Sequence, residues 1–516
     1  MSTTTPRVDD ALVPALRADL LSAGFTVAGV SDLLGPMALG ALDREQSLPA
    51  QRVTADDDSR CSTLIRLFTL GDPVDARDVA TALPTLGVDG ALALGLVAAE
   101  GDAIVALADV RPYATDGVDH WVASDLAELA TGRPLSPDHV LGIGGASATL
   151  ASWTPRPQVA RALDVGTGCG IQALHLATHA DEVVVTDLSE RALAYAAFNA
   201  ALNSVDWQIR GGSMLEPVAG EQFSLIVSNP PFVITPRSGD VPLFEYRDGG
   251  ASGDAIVADL VRSIGAHLEP GGIAQFLGNW EVRAGSTWQD QVGGWLVGTG
   301  LDAWVIQREV QDPAEYAETW ARDGGHHAGT ADFDRMYAAW LDDFASREVE
   351  AIGFGVITLA RPMTDRQAFV DLVEVRHPVD APMGPTILAG LFARTWLAEH
   401  SDDDVLDTTW VMAADVHEER HTLPGAADPS RIRLHQGGGL RRTVDLTTVT
   451  AAYASVCDGE LSARVAAAAI AGVLGVEAEA VREEIVAFVR DTARDGLLVS
   501  ASSVAMTTDN AETNRL

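Results

Sequence analysis

A chain of 516 residues, 47% hydrophobic and 21% charged, is long enough to bury several cores, and a length of about 150 residues per domain suggests about three. Its net charge is −38 and all 35 basic residues are arginine, so the overall field repels phosphate and nucleic-acid binding would require a local basic surface. No apolar run reaches the roughly 18 residues of a membrane span, the N-terminus lacks the pattern of a signal peptide, and Cys61, Cys169 and Cys457 are too scattered for a disulfide framework or a zinc cluster, so a cytoplasmic protein without metal or membrane partner is expected.

Residues 1–120 read as a mainly helical module. Apolar positions in ALVPALRADLLSAGF and STLIRLFTLGDPVDARDVATAL recur at helical spacing, and apolar runs flanking Glu100-Gly101-Asp102 then signal a hairpin. Helices followed by a hairpin resemble a winged helix, with a helical cap packed on the neighbouring domain as the equal alternative.

From 121 to 362 strand-like and helical runs alternate. RALDV (161–165), EVVVTD (182–187), WQIRG (207–211), FSLIVS (223–228), IAQFLG (273–278), AWVIQREV (303–310) and IGFGVITLA (352–360) are seven candidate strands. Their alternation with helices predicts an α/β fold with a mostly parallel sheet covered on both faces. An insertion at 312–349, with the aromatic-rich FDRMYAAWLDDF, precedes the last strand and reads as helical cover for a pocket.

Residues 363–502 read as an α+β domain. TILAGLFARTWLAEH is helix-like, SDDDVLD a solvated acidic loop, and RIRLHQGGGLRRTVDL two strands around a glycine turn. ELSARVAAAAIAGVLGV and EAVREEIVAFVRDTARDGLLV predict helices ending in a second winged-helix-like unit, and 503–516 a disordered tail.

Two motifs carry chemistry. In 162-ALDVGTGCGIQALHLA-177 a strand leads through a glycine-rich turn into a helix, so Gly166, Gly168 and Gly170 let the backbone approach a ligand closely. Asp187 closes the next strand, where a carboxylate can accept both ribose hydroxyls of a nucleoside ligand. An ordinary dinucleotide fold shares this pattern, but the form D-V-G-T-G-C-G resembles motif I of class I S-adenosylmethionine-dependent methyltransferases. That resemblance implies a Rossmann-like core with a seven-stranded sheet and S-adenosyl-L-methionine as cofactor. It places Asp164, Gly166, Thr167, Gly168 and Gly170 around the cofactor, Asp187 with Leu188 at its ribose, and Ser213 and Met214 near its adenine.

In the second motif, Asn229-Pro230-Pro231-Phe232 stops an apolar strand with two residues that have no backbone N–H. At the carboxyl edge of an open α/β sheet, two prolines make a rigid turn that can aim the Asn229 amide and a proline carbonyl at one point. Two such oxygens can accept both hydrogens of a planar –NH2 group and turn its lone pair toward an electrophilic methyl, with Phe232 stacking on the planar target. No general base is obligatory, because the nitrogen becomes acidic once methylated and can lose its proton to water. The tetrapeptide resembles motif IV of methyltransferases acting on exocyclic nitrogens of nucleobases or on glutamine amides, which also puts Asn229 beside the cofactor.

The segment 244-FEYRDGGASGD-254, with Asp254 a helix N-cap, resembles the D-G-G-x-x-G stretch of HemK/PrmC-type protein-(glutamine-N5) methyltransferases, which implies a protein substrate such as a translation release factor. Ribosomal RNA guanine-N2 and adenine-N6 methyltransferases share motif IV and form the rival reading. Its one local support is the basic hairpin with Arg431, Arg433, His435, Arg441 and Arg442, which as a solvated face would pair with carboxylates instead. A non-catalytic scaffold on a methyltransferase core is the third reading. His326-His327 reads as a solvent-exposed loop, Cys169 as a small side chain tolerated in the glycine loop, and 142-GIGGAS-147 as a flexible entrance with Thr149 near the cofactor.

Overall fold

The computed structural model describes residues 5–115, 117–132, 135–237, 243–250, 252–326 and 328–502. The tail 503–516, expected to be disordered, lies outside them, as does His327. The chain divides into two compact units: Met1–Ala151, Pro157–Leu301 and Val305–Met363 form the first, and Ser152–Arg156, Asp302–Trp304 and Thr364–Leu516 the second.

The first unit is built on β1 (Val159–Val165), β2 (Ala180–Asp187), β3 (Trp207–Gly211), β4 (Phe223–Ser228), β5 (Leu268–Arg283), the part of β6 (Asp302–Gln311) from Val305 onward, and β7 (Val349–Ala360). Leu163, Val165, Val184, Val185, Leu225 and Ile226 are fully buried, which explains why these strands read as continuous apolar runs: a parallel sheet is covered on both faces. The covering helices include α1 (Ile171–Leu176), α2 (Glu190–Asn203), α3 (Ala255–Ser263) and α4 (Trp288–Leu296).

The strand order is β6-β7-β5-β4-β1-β2-β3. Strands β5, β4, β1, β2 and β3 run parallel to one another, and β7 is antiparallel to β5. The order reverses between β1 and β4, which is where open α/β sheets bind ligands beyond the carboxyl ends of their strands. Every expected core strand is present. The second unit contains a further strand, Val370–Glu374, beyond the seven expected. None of its residues is buried, so it lacks the apolar signal that marked the others; next to it, the Ala303 N–H donates to the Phe369 carbonyl at 2.9 Å.

The insertion forms two helices, α5 (Pro313–Asp323) and α6 (Ala331–Ser346), as its aromatic spacing predicts. At the N-terminal end, helices such as Leu12–Ser22 and Ala76–Ala82 precede a hairpin of Val97–Glu100 and Ala103–Ala106, which pair around Gly101-Asp102 as expected and complete a three-stranded antiparallel sheet. A second hairpin, Asp109–Thr115 with Val118–Ser124, spans the expected boundary at 120 and was not anticipated.

In the second unit, the hairpin Arg431–Gln436 and Thr443–Leu446 and the helices Gly384–Glu399, Ala463–Leu474 and Ala478–Ala493 follow the sequence reading. SDDDVLD does not: Asp402–Asp407 is a helix whose N-cap Ser401 forms a capping box with Asp404. Acidic residues in a first helical turn complement the helix dipole, so the composition that suggested a loop is here a helix start. Among the described residues no single helix is long and apolar enough to cross a membrane. The bent pair Leu12–Ser22 and Val27–Leu42 has the combined length and composition, with Leu16, Leu20, Leu34 and Ala38 buried in the unit.

Candidate active site

The register of the sheet brings the two sequence motifs together. Asp164 lies opposite Val227 and Val165 opposite Ser228, so Gly166 and Asn229 each begin the turn that leaves one of two neighbouring parallel strands. The Ser228 hydroxyl donates to the Val165 carbonyl at 2.8 Å and ties the two strand ends. On the other side Asp164 lies opposite Val185, and Asp187 at the end of β2 lies opposite Gly211, which puts 212–214 on the same edge.

These turns line one cavity of about 490 Å³. Asp164, Gly166, Thr167, Gly168, Asp187, Leu188, Ser213, Met214, Asn229 and Pro231 all border it. Gly166 and Gly168 have φ of +69° and +56°, and a Cβ on either would meet nothing within 4 Å, so the backbone faces open space that a ligand can fill. Gly170 is different: a Cβ there would come within 2.7 Å of the Trp207 ring, so this glycine serves helix-to-strand packing and does not border the cavity. Pro230 is buried outside it, and Phe232 lines a neighbouring cavity of about 250 Å³ together with Leu277, Arg308, Phe354 and Thr149. Thr149 lines this smaller cavity, while Gly142 and Ser147 of the same stretch line the larger one.

The electrostatics of the large cavity are one-signed. Asp138, Asp164, Asp187, Glu190, Glu245 and Asp248 line it, with no arginine among the described lining residues. Burial pushes the Asp164 carboxyl up to about 7, against a hydrogen bond from the Thr167 hydroxyl at 2.6 Å, and the neighbouring Asp187 adds to the rise. Burial also raises Asp187, opposed by backbone N–H groups of Ser189 at 2.9 Å and Gly168 at 2.8 Å. Among the described residues lining this cavity, two buried side-chain oxygens have no hydrogen-bond partner: Oδ1 of Asp164 and Oδ1 of Asn229. A buried acceptor left unpaired is costly, so each marks a place where a donor belongs.

The acceptor turn is held from downstream by the 244–250 segment. The Val233 N–H donates to the Arg247 carbonyl at 2.9 Å, Phe232 and Asp248 form a bridge, and the Phe244 N–H donates to Asp248 Oδ2 at 2.6 Å. Gly249 is required here, since a Cβ would fall 2.6 Å from the Pro231 carbonyl oxygen. Asp254 begins α3 as expected, but its side chain does not cap: it accepts from the Glu281 N–H and from Gln291, both at 2.9 Å. Ala251 lies outside the described residues.

The Cys169 thiol donates to the Leu141 carbonyl at 3.2 Å, and burial pushes it up to about 12, so it stays protonated. No group of three or more His, Cys, Asp or Glu among the described residues could hold a metal ion. Sequence reasoning missed His139, Gln172, Glu190 and Tyr246 at the cavity wall. Gln172 and Glu190 follow the two motif strands by a few residues, a spacing that could have suggested them; His139 sits in a stretch without periodicity and carried no signal.

Residues 142–295 match the family described as "Methyltransferase small domain", and residues 22–107 match a domain of unknown function. Residues 142–295 are thus similar to a methyltransferase small domain. The methyltransferase core resembles a release factor glutamine methyltransferase of Deinococcus radiodurans, 41% identical over 127 residues, which cover 23% of this chain and 45% of that protein. It is also similar to a ribosomal protein uL3 glutamine methyltransferase of Bradyrhizobium diazoefficiens, 31% identical over 22% of this chain and 39% of that protein. A ribosomal RNA small subunit methyltransferase C of Salmonella arizonae is 29% identical over 26% of this chain and 35% of that protein. The chain thus spans less than half the length of these relatives. Among solved structures, the 16S rRNA N2 G1207 methyltransferase of T. thermophilus is 15% identical, with a TM-score of 0.26 over 61% of this chain and 71% of that one.

Proposed function

We propose that this chain is an S-adenosylmethionine-dependent N-methyltransferase acting on the planar amide of a protein glutamine, of the kind found in translation release factors. The observation that carries the reading is the buried, partnerless Oδ1 of Asn229, at the wall of the cavity that the open-faced Gly166–Gly168 turn also lines. A ligand with sulfonium and ammonium charges suits a cavity whose described lining has six carboxylates and no arginine better than a pyrophosphate would. When bound, S-adenosylmethionine supplies an electrophilic methyl group.

In this reading Gly166, Thr167 and Gly168 make room for the cofactor, and Asp164 offers its unpaired oxygen to a donor. Asp187 with Leu188 takes the ribose, and Ser213 and Met214 flank the adenine. Asn229 Oδ1 and a proline carbonyl accept the two amide hydrogens of the substrate and hold its lone pair toward the reacting methyl. The rigid Pro230-Pro231 pair keeps that geometry, and the methylated nitrogen loses its proton to water. Phe232 lines the smaller cavity and not the one that Asn229 borders.

The acidic lining supports a protein over RNA as substrate. The basic hairpin adds little to the RNA reading: Arg431 and Arg433 are paired with Asp445, Arg442 with Asp495 and His435 with Glu419. The name of the Salmonella arizonae relative keeps RNA as the second reading. We read the terminal segments, 1–120 and 363–502 around a 121–362 core, as winged-helix-like modules that dock a cytoplasmic partner. The helices and three-stranded sheet within 12–106 support this at the N-terminal end.

Incubating the protein with methyl-labelled S-adenosylmethionine and total cell extract tests the proposal. Label that protease releases and nuclease does not is the expected result. Nuclease-sensitive label would favour the RNA reading, and failure to bind the cofactor at millimolar concentration would leave the scaffold.

A further inference from the structure

Pro230 and Pro231 have no N–H, so the Asn229 turn cannot be fixed by its own first amides and must be anchored downstream. Phe232 and Val233 pair with 247–248, but Ile234, almost fully buried, does not. Both polar groups of its peptide are satisfied by insertion side chains. Its N–H donates to Tyr316 Oη at 2.8 Å, and its carbonyl accepts from Trp340 Nε1 at 2.8 Å. Both side chains are completely buried. Tyr316 Oη is also 2.8 Å from Asn279 Nδ2 on β5, so one hydroxyl joins the sheet, the insertion and the turn. The Tyr316 ring is wedged against Phe344 and Phe354, at 5.5 and 5.6 Å between centroids, and Trp320 meets Phe232 edge-on at 6.5 Å.

We propose that Tyr316 is a positioning residue for Asn229, and that the 312–349 insertion works as a buttress for the acceptor turn as well as a wall beside it. This rests on the methyltransferase reading for its catalytic consequence, but the mechanical part stands without it. A phenol on a helix packed into an aromatic cluster has little freedom, so it fixes Ile234 relative to β5 and, five residues upstream, the Asn229 amide.

The test is Tyr316→Phe, which keeps the ring and removes the hydroxyl. Amide hydrogen exchange in a peptide covering 229–236 is expected to accelerate at least tenfold, with exchange in β1 and β4 unchanged and S-adenosylmethionine affinity by calorimetry within twofold of the parent. The initial rate of label transfer from saturating S-adenosylmethionine into cell extract should fall about tenfold, and adding Tyr316→Phe to Asn229→Ala should cause no further loss, because the hydroxyl acts through that amide. Trp340→Phe, which removes the partner of the Ile234 carbonyl, should move the same readouts and serves if Tyr316→Phe does not fold. Unchanged exchange at 229–236, acceleration spread over the whole sheet, or a further rate loss in the Asn229→Ala background would overturn the proposal. A protein that transfers no label at all would instead defeat the enzymatic reading, while the exchange data would still decide the buttress.

Discussion

The glycine-loop side and the Asn229 side of the cavity leave neighbouring strands of one sheet, yet they are held by different means. On the first side the backbone supports itself: Thr167 bonds Asp164, the Gly168 and Ser189 amides bond Asp187, and all lie within one β-α-β stretch. On the second, two prolines remove the local amides, and anchors arrive from 244–250 and from an insertion more than 80 residues away. Local sequence can therefore build a cofactor cradle, whereas aiming an acceptor group demands tertiary support. The two sides should fail in different ways when broken.

Asn229→Ala gives the largest expected effect. In the proposed reading it removes the acceptor that orients the substrate, worth about 2–3 kcal/mol if it acts at the reacting centre, so label transfer should fall by about a hundredfold. Cofactor affinity should hardly change, because the glycine loop and Asp187 remain intact. Parental turnover in a steady-state assay would remove Asn229 from the mechanism. Asp187→Ala should do the reverse. Losing hydrogen bonds to a charged acceptor costs about 1.5–2 kcal/mol, which predicts S-adenosylmethionine binding ten- to thirtyfold weaker by calorimetry. Unchanged affinity would argue against the ribose role.

The same contrast governs how much was legible in the sequence. The seven core strands stood out because parallel strands buried on both faces are continuous apolar runs, and the two motifs stood out because glycine and proline have backbone requirements that few other positions share. Their meeting at one sheet edge followed from strand counting alone. What stayed hidden was set by long-range packing. Gly170 looks like a third cradle glycine, but Trp207 from β3 occupies the space above it. Thr149 and Phe232 line the second cavity together with Leu277 and Phe354, residues distant in sequence. Tyr316 reads as one more aromatic on an amphipathic helix, and only the fold reveals that its hydroxyl meets Ile234. SDDDVLD and Asp254 show a different gap: a capping residue is recognisable, but the direction its side chain takes depends on competing donors such as the Glu281 amide.

The smallest expected effect concerns the charge of the glycine-loop side. Burial holds the Asp164 carboxyl at about 7 in the folded chain, well above its ordinary 3.8, so between those values the folded state binds a proton that the unfolded state has released. Stability from this group is fully present below pH 4 and is lost as pH rises through 7. A cationic ligand reverses that trend, since it favours the ionised carboxylate, so its binding near pH 6 should release a proton and its affinity should improve severalfold between pH 6 and 8. The ligand's own α-amino group titrates near 8 in the opposite sense, which narrows the window to about pH 6–7.5. Asp164→Asn separates the two contributions: its affinity should be weaker and flat across the window, with no proton release in calorimetry run in buffers of different ionisation enthalpy. Because Asp187 faces the same cavity and is raised in the same direction, a pH dependence that survives in Asp164→Asn would shift the titrating role to Asp187, and with it the site where the positive charge is felt.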